Sequence, residues 1–371
     1  MQNWTLAKSP RCSYTFPMLE TLAQQLARHE SLSDQQVAAA VDELAGAAAA
    51  LESKAGFLAA LAQKGETAAE IAAFARELRR RAIEPPVDAE TRARQILDVC
   101  GTGGDRLNTF NISTAVALLA SAAGTPVAKH GNRAVTSQAG SADVLEALGI
   151  KIDLTPEEAA RSLREHDFAF FFAPNYHPAF RHIAPARRLC AERGQKTIFN
   201  YLGPLLNPAR PAVQLAGVPR PELCLPVAGV LQSLGLRRAM VVCGATPGGP
   251  LDELSTLGET TVAEFYQPRA LAGSTLAPWN FPVQPATLAD LAGGDREANA
   301  EIIRRLLRGE DRGPRRDALL LNGAAALFVA EKCRSLVEGW EMAANLIDSG
   351  KARAKLLELT ARQPGLTARA V

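Results

Sequence analysis

Three polar clusters follow one another between residues 98 and 149, each beside an apolar segment. The first is the glycine-rich run at 101–105 (GTGGD), the second is NIST at 111–114, and the third is the basic run at 129–133 (KHGNR). Glycine lets a backbone approach a ligand closely, and a helix N-terminus offers free N–H groups to an anion. With two cations in the third cluster, this order of strand, glycine loop, helix start and basic loop predicts a phosphate-binding site.

The glycine-rich run carries little information by itself. It matches neither the G-x-x-x-x-G-K-[ST] pattern of nucleotide hydrolases nor the G-x-G-x-x-G pattern of dinucleotide-binding proteins. A tight strand-to-helix turn explains it equally well. The polar residues Asn111, Ser113 and Thr114 favour the phosphate interpretation, because side chains at a helix start either cap the helix or contact a ligand. Ser113 is also a candidate ligand of Mg²⁺.

Asp252 and Glu253, in the segment GGPLDELS, form the second candidate group. Mg²⁺ prefers hard oxygen ligands and is usually held by one or two carboxylates together with the substrate's own phosphates. The glycines and proline before the pair indicate a loop after the predicted strand RAMVVCG, where both carboxylates can face a diphosphate. A solvated acidic loop explains the pair equally well.

Arg187, Tyr176 and His177 form the third candidate group. An arginine binds a carboxylate through two parallel hydrogen bonds, and the other two residues follow the predicted strand FAFFFA. From spacing alone, a surface ion pair for Arg187 and a structural role for His177 are favoured. The sequence has no G-x-S-x-G motif and no cysteine beside an evident base, so it does not predict nucleophilic catalysis.

Composition excludes several classes of function. The chain has 371 residues, 47% of them hydrophobic, and its net charge of +2 argues against a basic nucleic-acid-binding face. The six cysteines show no C-x-x-C pairing, which favours free thiols in a reducing compartment. Since the chain has no apolar run that could span a bilayer and its first residues lack a signal-peptide core, we expect a cytoplasmic protein that binds no membrane.

Residues 19–86 are predicted to form a small helical domain of about four helices, preceded by an irregular extension at 1–18. The segment is rich in Ala, Leu, Glu and Arg with helical periodicity. Capping boxes that begin at Ser33 and Thr67 mark two helix starts. The two prolines at 85–86 end the helical run.

Residues 87–371 are predicted to form an α/β domain. Short apolar runs alternate with helical patterns, which is typical of a mostly parallel sheet surrounded by helices. Ligands bind outside the carboxyl ends of the strands in such sheets, where the glycine loop and the basic loop both fall. The helical segments from Thr287 onward are predicted to cover the sheet. The predicted strands begin at Ile96, Thr125, Phe168, Thr197, Val213, Arg238 and Thr260.

From residue 19 to residue 361 the chain resembles the anthranilate phosphoribosyltransferase family, with the motifs GTGGD, NIST, KHGNR, GSADVLEALG, APNYHPAF, KTIFNYLGPLLNPA and LDELS in that family's order. The resemblance implies a helical domain beside an α/β domain. It implies transfer of the phosphoribosyl group of 5-phosphoribosyl 1-diphosphate to the amine of anthranilate, in tryptophan biosynthesis. It further implies two Mg²⁺ ions and a homodimer formed through the helical domain.

The resemblance also implies roles for residues at matched positions. The diphosphate substrate would be bound by Gly101, Gly104, Asp105, Thr109, Asn111, Ser113, Thr114, Lys129 and Ser141. Anthranilate would be contacted by Gly101, Asn132, Arg187, His130, Tyr176 and His177, with Arg187 as the partner of its carboxylate. Mg²⁺ would be ligated by Ser113, Asp252 and Glu253.

The chain departs from the family's pattern at three places. Arg106 stands where the family usually has glycine, Gln138 and Ala139 replace a lysine and a small residue, and the segment 189–196 is longer than usual. Two other hypotheses are considered: an enzyme like the pyrimidine nucleoside phosphorylases, and a non-catalytic paralogue that binds nucleic acid. The intact KHGNR and LDELS motifs argue against the first, and the near-neutral charge argues against the second.

Overall fold

The computed structural model of the protein describes residues 18–134, 138–267 and 270–361. The predicted extension at 1–18 lies outside these ranges except for Met18, which begins the first helix. The described chain opens with a bundle of four helices: α1 (Met18–Ala27), α2 (Asp34–Ala45), α3 (Leu51–Lys64) and α4 (Ala68–Arg80).

Both predicted capping boxes are confirmed. Ser33 accepts a hydrogen bond from the amide of Gln36, and the Gln36 side chain accepts one from the amide of Ser33 in return. Thr67 and Glu70 form the same reciprocal pair at the start of α4. Each pair satisfies amide groups that the first turn of a helix leaves without partners.

The remaining chain forms one sheet with helices on both faces. The strands are β1 (Leu97–Gly101), β2 (Val127–Gly131), β3 (Phe168–Phe172), β4 (Val213–Gly217), β5 (Arg238–Thr246), β6 (Gly249–Leu251), β7 (Thr260–Tyr266) and β8 (Ala272–Leu276). Their order is β3-β2-β1-β4-β5-β7-β8, with β6 paired to β5 alone. The first five strands of this order are parallel, and β7, β8 and β6 join antiparallel. The predicted class, a mostly parallel α/β sheet beside a helical domain, is confirmed.

Twelve further α-helices lie after the bundle in the described ranges. They are α5 (Ala89–Ala93), α6 (Ile112–Ala122), α7 (Ser141–Leu148), α8 (Pro156–His166), α9 (Ala173–Tyr176), α10 (Phe180–Glu192), α11 (Phe199–Leu202), α12 (Cys224–Ser233), α13 (Arg296–Leu307), α14 (Pro314–Val329), α15 (Leu336–Asp348) and α16 (Lys351–Thr360). None of the helices in the part of the chain that the structure describes is long and apolar enough to cross a membrane.

Alternate residues of β5 enter two different cores, as the period of a strand requires. Met240 and Val242 pack into the core that the C-terminal helices α13–α16 share with α6, so these helices cover one face of the sheet. Val241 and Cys243 pack into the core of the helical bundle, to which α10 and α12 also contribute. The helical bundle therefore shares one hydrophobic core with the opposite face of the sheet.

The prediction of a strand beginning at Thr197 is wrong. The amide of Thr197 donates a hydrogen bond to the side chain of Asn200 at 2.9 Å, and α11 follows directly. A local bond of this kind stabilises a turn in place of strand pairing. The apolar residues Phe199 and Leu202 are still buried, but they pack against the helical bundle instead of lying in the sheet.

Candidate active site

The carboxyl ends of the parallel strands open onto a cleft of about 740 Å³. Most of the residues predicted for a site line this one cleft: Gly101, Asp105, Thr109, Asn111, Ser113, Thr114, Lys129, His130, Asn132, Ser141, Arg187, Asp252 and Glu253. Gly104, Tyr176 and His177 are not among the lining residues. The structure therefore brings together segments that are far apart in sequence: Thr102 and Asp252, which share a hydrogen bond, are separated by 150 positions.

Asp252 lies against the glycine-rich loop that follows β1. Its Oδ2 accepts hydrogen bonds from Thr102 Oγ1 at 3.0 Å and from the amide of Gly103 at 2.6 Å. This approach requires glycine at two strand ends. A Cβ on Gly101 would lie 2.8 Å from the Asp252 carboxylate, and one on Gly217 would lie 1.5 Å from the Asp252 carbonyl oxygen.

Glu253 lies at the N-terminus of α6. Its Oε1 accepts a hydrogen bond from the amide of Ser113 at 3.1 Å, which is a favourable position for negative charge. The buried side chain of Lys129, on β2, donates to the carbonyl of Val99 at 2.8 Å and to Ser113 Oγ at 3.3 Å. Glu253 and Lys129 thus meet the NIST segment from two sides.

Asp105, Asp252 and Glu253 form an acidic wall of the cleft, where a bound cation would be favourable. Burial, and secondly the neighbouring Asp105, raise the pKa of Asp252 to about 7. Burial and Asp252 also raise the pKa of Glu253. A divalent ion would lower both pKa values, because it stabilises the ionised carboxylates. The hard oxygens of Asp252, Glu253 and Ser113 are donors that suit Mg²⁺. Across the described ranges, no three His, Cys, Asp or Glu side chains are arranged to hold a metal ion by themselves.

Two polar atoms on the cleft wall around the start of α6 are buried without a hydrogen-bond partner. They are Asn111 Oδ1, whose amide nitrogen donates to the carbonyl of Ala139 at 3.2 Å, and Thr114 Oγ1. Unpaired buried polar atoms are unfavourable, so in a substrate cleft they indicate groups that a ligand completes. Both lie in the NIST segment predicted for the diphosphate.

The opposite end of the cleft is aromatic and carries Arg187. The guanidinium of Arg187, on α10, lies over the ring of Phe199 at 5.1 Å. Phe199 meets Phe180 edge-on at 5.7 Å, and the ring of His177 stacks on Phe180. Burial lowers the pKa of Arg187, and its guanidinium makes no hydrogen bond or ion pair to any residue in the described ranges. It is therefore available to a planar carboxylate ligand.

His177 and Tyr176 lie behind this wall. The Nε2 atoms of His177 and His130 are 3.2 Å apart, and His130 itself lines the cleft. Tyr176 is fully buried against Phe171 in the core below β3. The position of Tyr176 therefore gives no support to the expectation that it lines an anthranilate channel. His177 does not line the cleft itself but contacts His130 and Phe180, which do.

The sequence analysis missed several lining residues. Phe180 and Phe199 form the aromatic end, and neither has a polar group that would mark it as a site residue. Both stand inside quoted motifs, at the end of APNYHPAF and within KTIFN. Asp98 lines the cleft from β1, where burial raises the pKa of its carboxyl to about 6. A carboxylate within an otherwise apolar strand was the signal that could have identified it.

The fold and the site define a glycosyl transferase with a helical bundle domain. The family description "Glycosyl transferase family, a/b domain" matches residues 93–353, and "Glycosyl transferase family, helical bundle domain" matches residues 20–82. Within this class, the chain belongs to the anthranilate phosphoribosyltransferase family, which confirms the resemblance seen in the motifs.

The relatives cover nearly the whole chain. An anthranilate phosphoribosyltransferase of Lacticaseibacillus casei is 44% identical over 344 residues, which are 93% of this chain and 97% of the relative. The crystal structure of the enzyme from Thermus thermophilus is 40% identical, with a TM-score of 0.83 over 92% of this chain and 98% of that one. The enzyme from Saccharomyces cerevisiae in complex with PRPP and Mg is 28% identical, with a TM-score of 0.79 over 92% and 96% of the two chains.

Proposed function

We propose that this protein transfers the phosphoribosyl group of 5-phosphoribosyl 1-diphosphate to the amine of anthranilate, as its family does. The amine attacks C1 of the ribose, the C1–oxygen bond to the diphosphate breaks, and pyrophosphate leaves with the electron pair of that bond. The attacking nitrogen then loses a proton. One observation supports this function above the others: a single cleft holds a carboxylate pair at one end and an arginine on an aromatic wall at the other.

The diphosphate end supplies binding and stabilises the leaving group. Asn111 and Thr114 contribute the unpaired polar atoms described above, and Lys129 contributes a buried positive charge. Asp252, Glu253 and Ser113 would hold Mg²⁺, and two such ions are proposed. When bound, Mg²⁺ neutralises the charge that develops on pyrophosphate. Gly101, Gly104, Asp105, Thr109 and Ser141 complete the proposed substrate contacts.

The aromatic end positions the acceptor. Arg187 would bind the anthranilate carboxylate, and Phe180 and Phe199 offer ring faces to its aromatic ring. Asn132 and His130 line the same cleft and would contact the acceptor. An aromatic amine is neutral at pH 7, so the residues need to align two substrates more than to abstract a proton first.

Three further statements belong to the same proposal. The protein acts in tryptophan biosynthesis in the cytoplasm, binding neither nucleic acid nor membrane. It forms a homodimer through the helical domain. The domain boundary lies near residue 86, between α4 and α5, where two prolines interrupt the helical sequence.

The reaction is tested by mixing protein, Mg²⁺, 5-phosphoribosyl 1-diphosphate and anthranilate and following the loss of anthranilate fluorescence. We expect turnover that depends on all four components. Well-folded protein without turnover would refute the proposal. Phosphorolysis of thymidine or uridine in its place would support the nucleoside phosphorylase hypothesis, and salt-sensitive binding of nucleic acid without turnover would support the non-catalytic one.

A further inference from the structure

We propose that Arg106 is an additional anion-binding residue of the diphosphate substrate, whose guanidinium donates hydrogen bonds to its phosphate oxygens. The proposal rests on the proposed function, because it assigns Arg106 to the same cleft. It goes beyond the roles carried over from the family, which usually has glycine at this position and therefore has no side chain there.

The backbone of Arg106 adopts a conformation that favours glycine. Its φ angle is +61°, in the left-handed region that residues with a Cβ rarely enter, and Asn108 has a φ of +54°. Of the seven described non-glycine residues with a positive φ, Arg106 and Asn108 are the two that line the cleft. Glycine would fit this turn without strain.

The surrounding loop is anchored on both sides of the turn. The amide of Leu107 donates to Asp105 Oδ1 at 3.1 Å, which fixes the turn from within. The amide of Gly293 donates to the carbonyl of Asn108 at 2.9 Å, and the amide of Phe110 donates to the carbonyl of Leu291 at 3.0 Å. Arg106 is therefore held at the cleft by a fixed backbone rather than by contacts of its own side chain.

Arg106 differs from the other lysine and arginine residues that line the cleft. Lys129 already donates to Val99 and Ser113, and Arg133 is paired with Asp143 and Glu146 on the outside of α7. Arg187 is stacked on an aromatic ring. The exposed side chain of Arg106 makes no hydrogen bond, ion pair or ring contact with any other residue that the structure describes.

The nearest acid in sequence does not serve as a partner for Arg106. The two carboxylate oxygens of Asp105 accept from backbone amides, Oδ1 from Leu107 at 3.1 Å and Oδ2 from Asp252 at 3.4 Å. The second bond directs Asp105 towards Asp252. The guanidinium of Arg106 thus remains unneutralised beside the subsite where a multiply charged anion is to be bound.

The chemistry that fits is a phosphate group. A guanidinium presents a planar fork of N–H donors that matches two phosphate oxygens. The substrate carries two such groups, the 1-diphosphate and the 5-phosphate, and they present the same chemistry to Arg106. Inorganic pyrophosphate and ribose 5-phosphate, used as inhibitors, distinguish the two.

The test compares Arg106→Gln, Arg106→Lys and Arg106→Gly with the unaltered enzyme. We expect Arg106→Gln and Arg106→Gly to raise the KM for 5-phosphoribosyl 1-diphosphate about tenfold, the effect of losing one charge-assisted contact, with the KM for anthranilate unchanged. Arg106→Lys should recover part of the loss. Arg220→Gln, at an exposed ion pair with Glu222 outside the cleft, is the matched control for the loss of one positive charge.

The inhibitors identify the phosphate group concerned. A contact with the diphosphate predicts that Arg106→Gln raises the inhibition constant of Mg²⁺–pyrophosphate but not that of ribose 5-phosphate, and a contact with the 5-phosphate predicts the reverse. A KM within twofold of the unaltered enzyme, with both inhibition constants unchanged, would overturn the proposal. Calorimetric titration with Mg²⁺–pyrophosphate and with ribose 5-phosphate tests Arg106 without turnover, so its result is separable from a failure of the proposed function.

Discussion

The amide of Ser113 donates a hydrogen bond to the carboxylate of Glu253 at 3.1 Å, which joins the N-terminus of α6 to the loop that follows β6. The same loop reaches the glycine-rich turn after β1 through Asp252. These two bonds bring both predicted metal-binding segments into one place. We therefore expect substitution of either carboxylate to disturb the cleft.

Replacing Glu253 by Gln, or Asp252 by Asn, should lower kcat/KM for the diphosphate substrate roughly 100-fold, because each change removes charge from the proposed Mg²⁺ site while keeping the shape of the side chain. The measurement is initial rate against Mg²⁺ and substrate concentration. Glu259→Gln, which alters an exposed acid of the same region, is the control. Variants with unaltered rate and Mg²⁺ dependence would remove the pair from the site.

Replacing Arg187 by Ala should raise the KM for anthranilate by roughly 10- to 100-fold and leave the KM for the diphosphate substrate nearly unchanged. The reason is loss of a charge-assisted contact to the acceptor's carboxylate. Arg188→Ala is the matched control, since the neighbouring side chain is exposed and does not line the cleft. If both variants kept the anthranilate KM of the unaltered enzyme, Arg187 would not be the carboxylate partner.

The imidazoles of His130 and His177 should make the protein less stable below about pH 6.5. Burial lowers the pKa of His130 to about 3 and that of His177 to about 4, and His177, Arg79 and Lys129 also disfavour charge on His130. In the unfolded chain a histidine has a pKa of about 6.5. The stabilising contribution of each neutral imidazole is therefore complete above about pH 6.5 and is lost as the pH falls towards the folded pKa.

Between about pH 6.5 and the folded pKa, each histidine lowers the free energy of unfolding by about 1.4 kcal/mol per pH unit. His177→Gln should remove one of these two contributions, as measured by urea unfolding between about pH 5 and 7. His29→Gln, at an exposed histidine in the turn after α1, should follow the unaltered protein. Identical pH profiles for His177→Gln and the unaltered protein would contradict the prediction.

Replacing Glu70 by Gln should destabilise the protein by about 3–5 kcal/mol, because it removes the carboxylate that neutralises the buried ammonium of Lys64. Glu70 accepts hydrogen bonds from Lys64 at 2.7 Å and from the amides of Leu32 and Thr67 at 2.9 Å. Thermal or urea unfolding measures the loss. The exposed pair of Asp34 and Arg76 supplies the control: Asp34→Asn should change stability by about 1 kcal/mol or less. Equal effects of the two variants would refute the role assigned to Glu70.

The helix starts, the class of the fold and the chemical nature of the site could be predicted from the sequence because their causes are local. The capping boxes at Ser33 and Thr67 need residues only three positions apart. The alternation of apolar strands with helices indicates a parallel sheet, and the carboxyl ends of parallel strands meet at one edge. Glycines, a helix start and a carboxylate pair therefore indicated a metal–phosphate site before any contact was known.

The segment from Thr197 could not be assigned in the same way. Its aromatic and β-branched residues suit a strand, and the hydrogen bond from the Thr197 amide to Asn200 that turns it into a helix is a detail of side-chain geometry. The consequence is functional, because the turn brings Phe199 to the cleft beside Arg187. Tyr176 differs from Phe199 in the opposite direction. Its polar ring stands in a family motif and suggested a site residue, but packing buries it against Phe171.

The sequence by itself determined most of the elements of this protein and the types of chemical group that its site contains, since propensity, capping and strand period act over a few residues. Only the tertiary structure decided which of those groups share one cleft. Asp252 approaches the glycine loop only because Gly101 and Gly217 leave room for it, and Arg106 faces the same cleft unpaired because Asp105 is already bonded to backbone amides. Such relationships depend on distances between residues far apart in sequence, which only the packing of the whole chain sets.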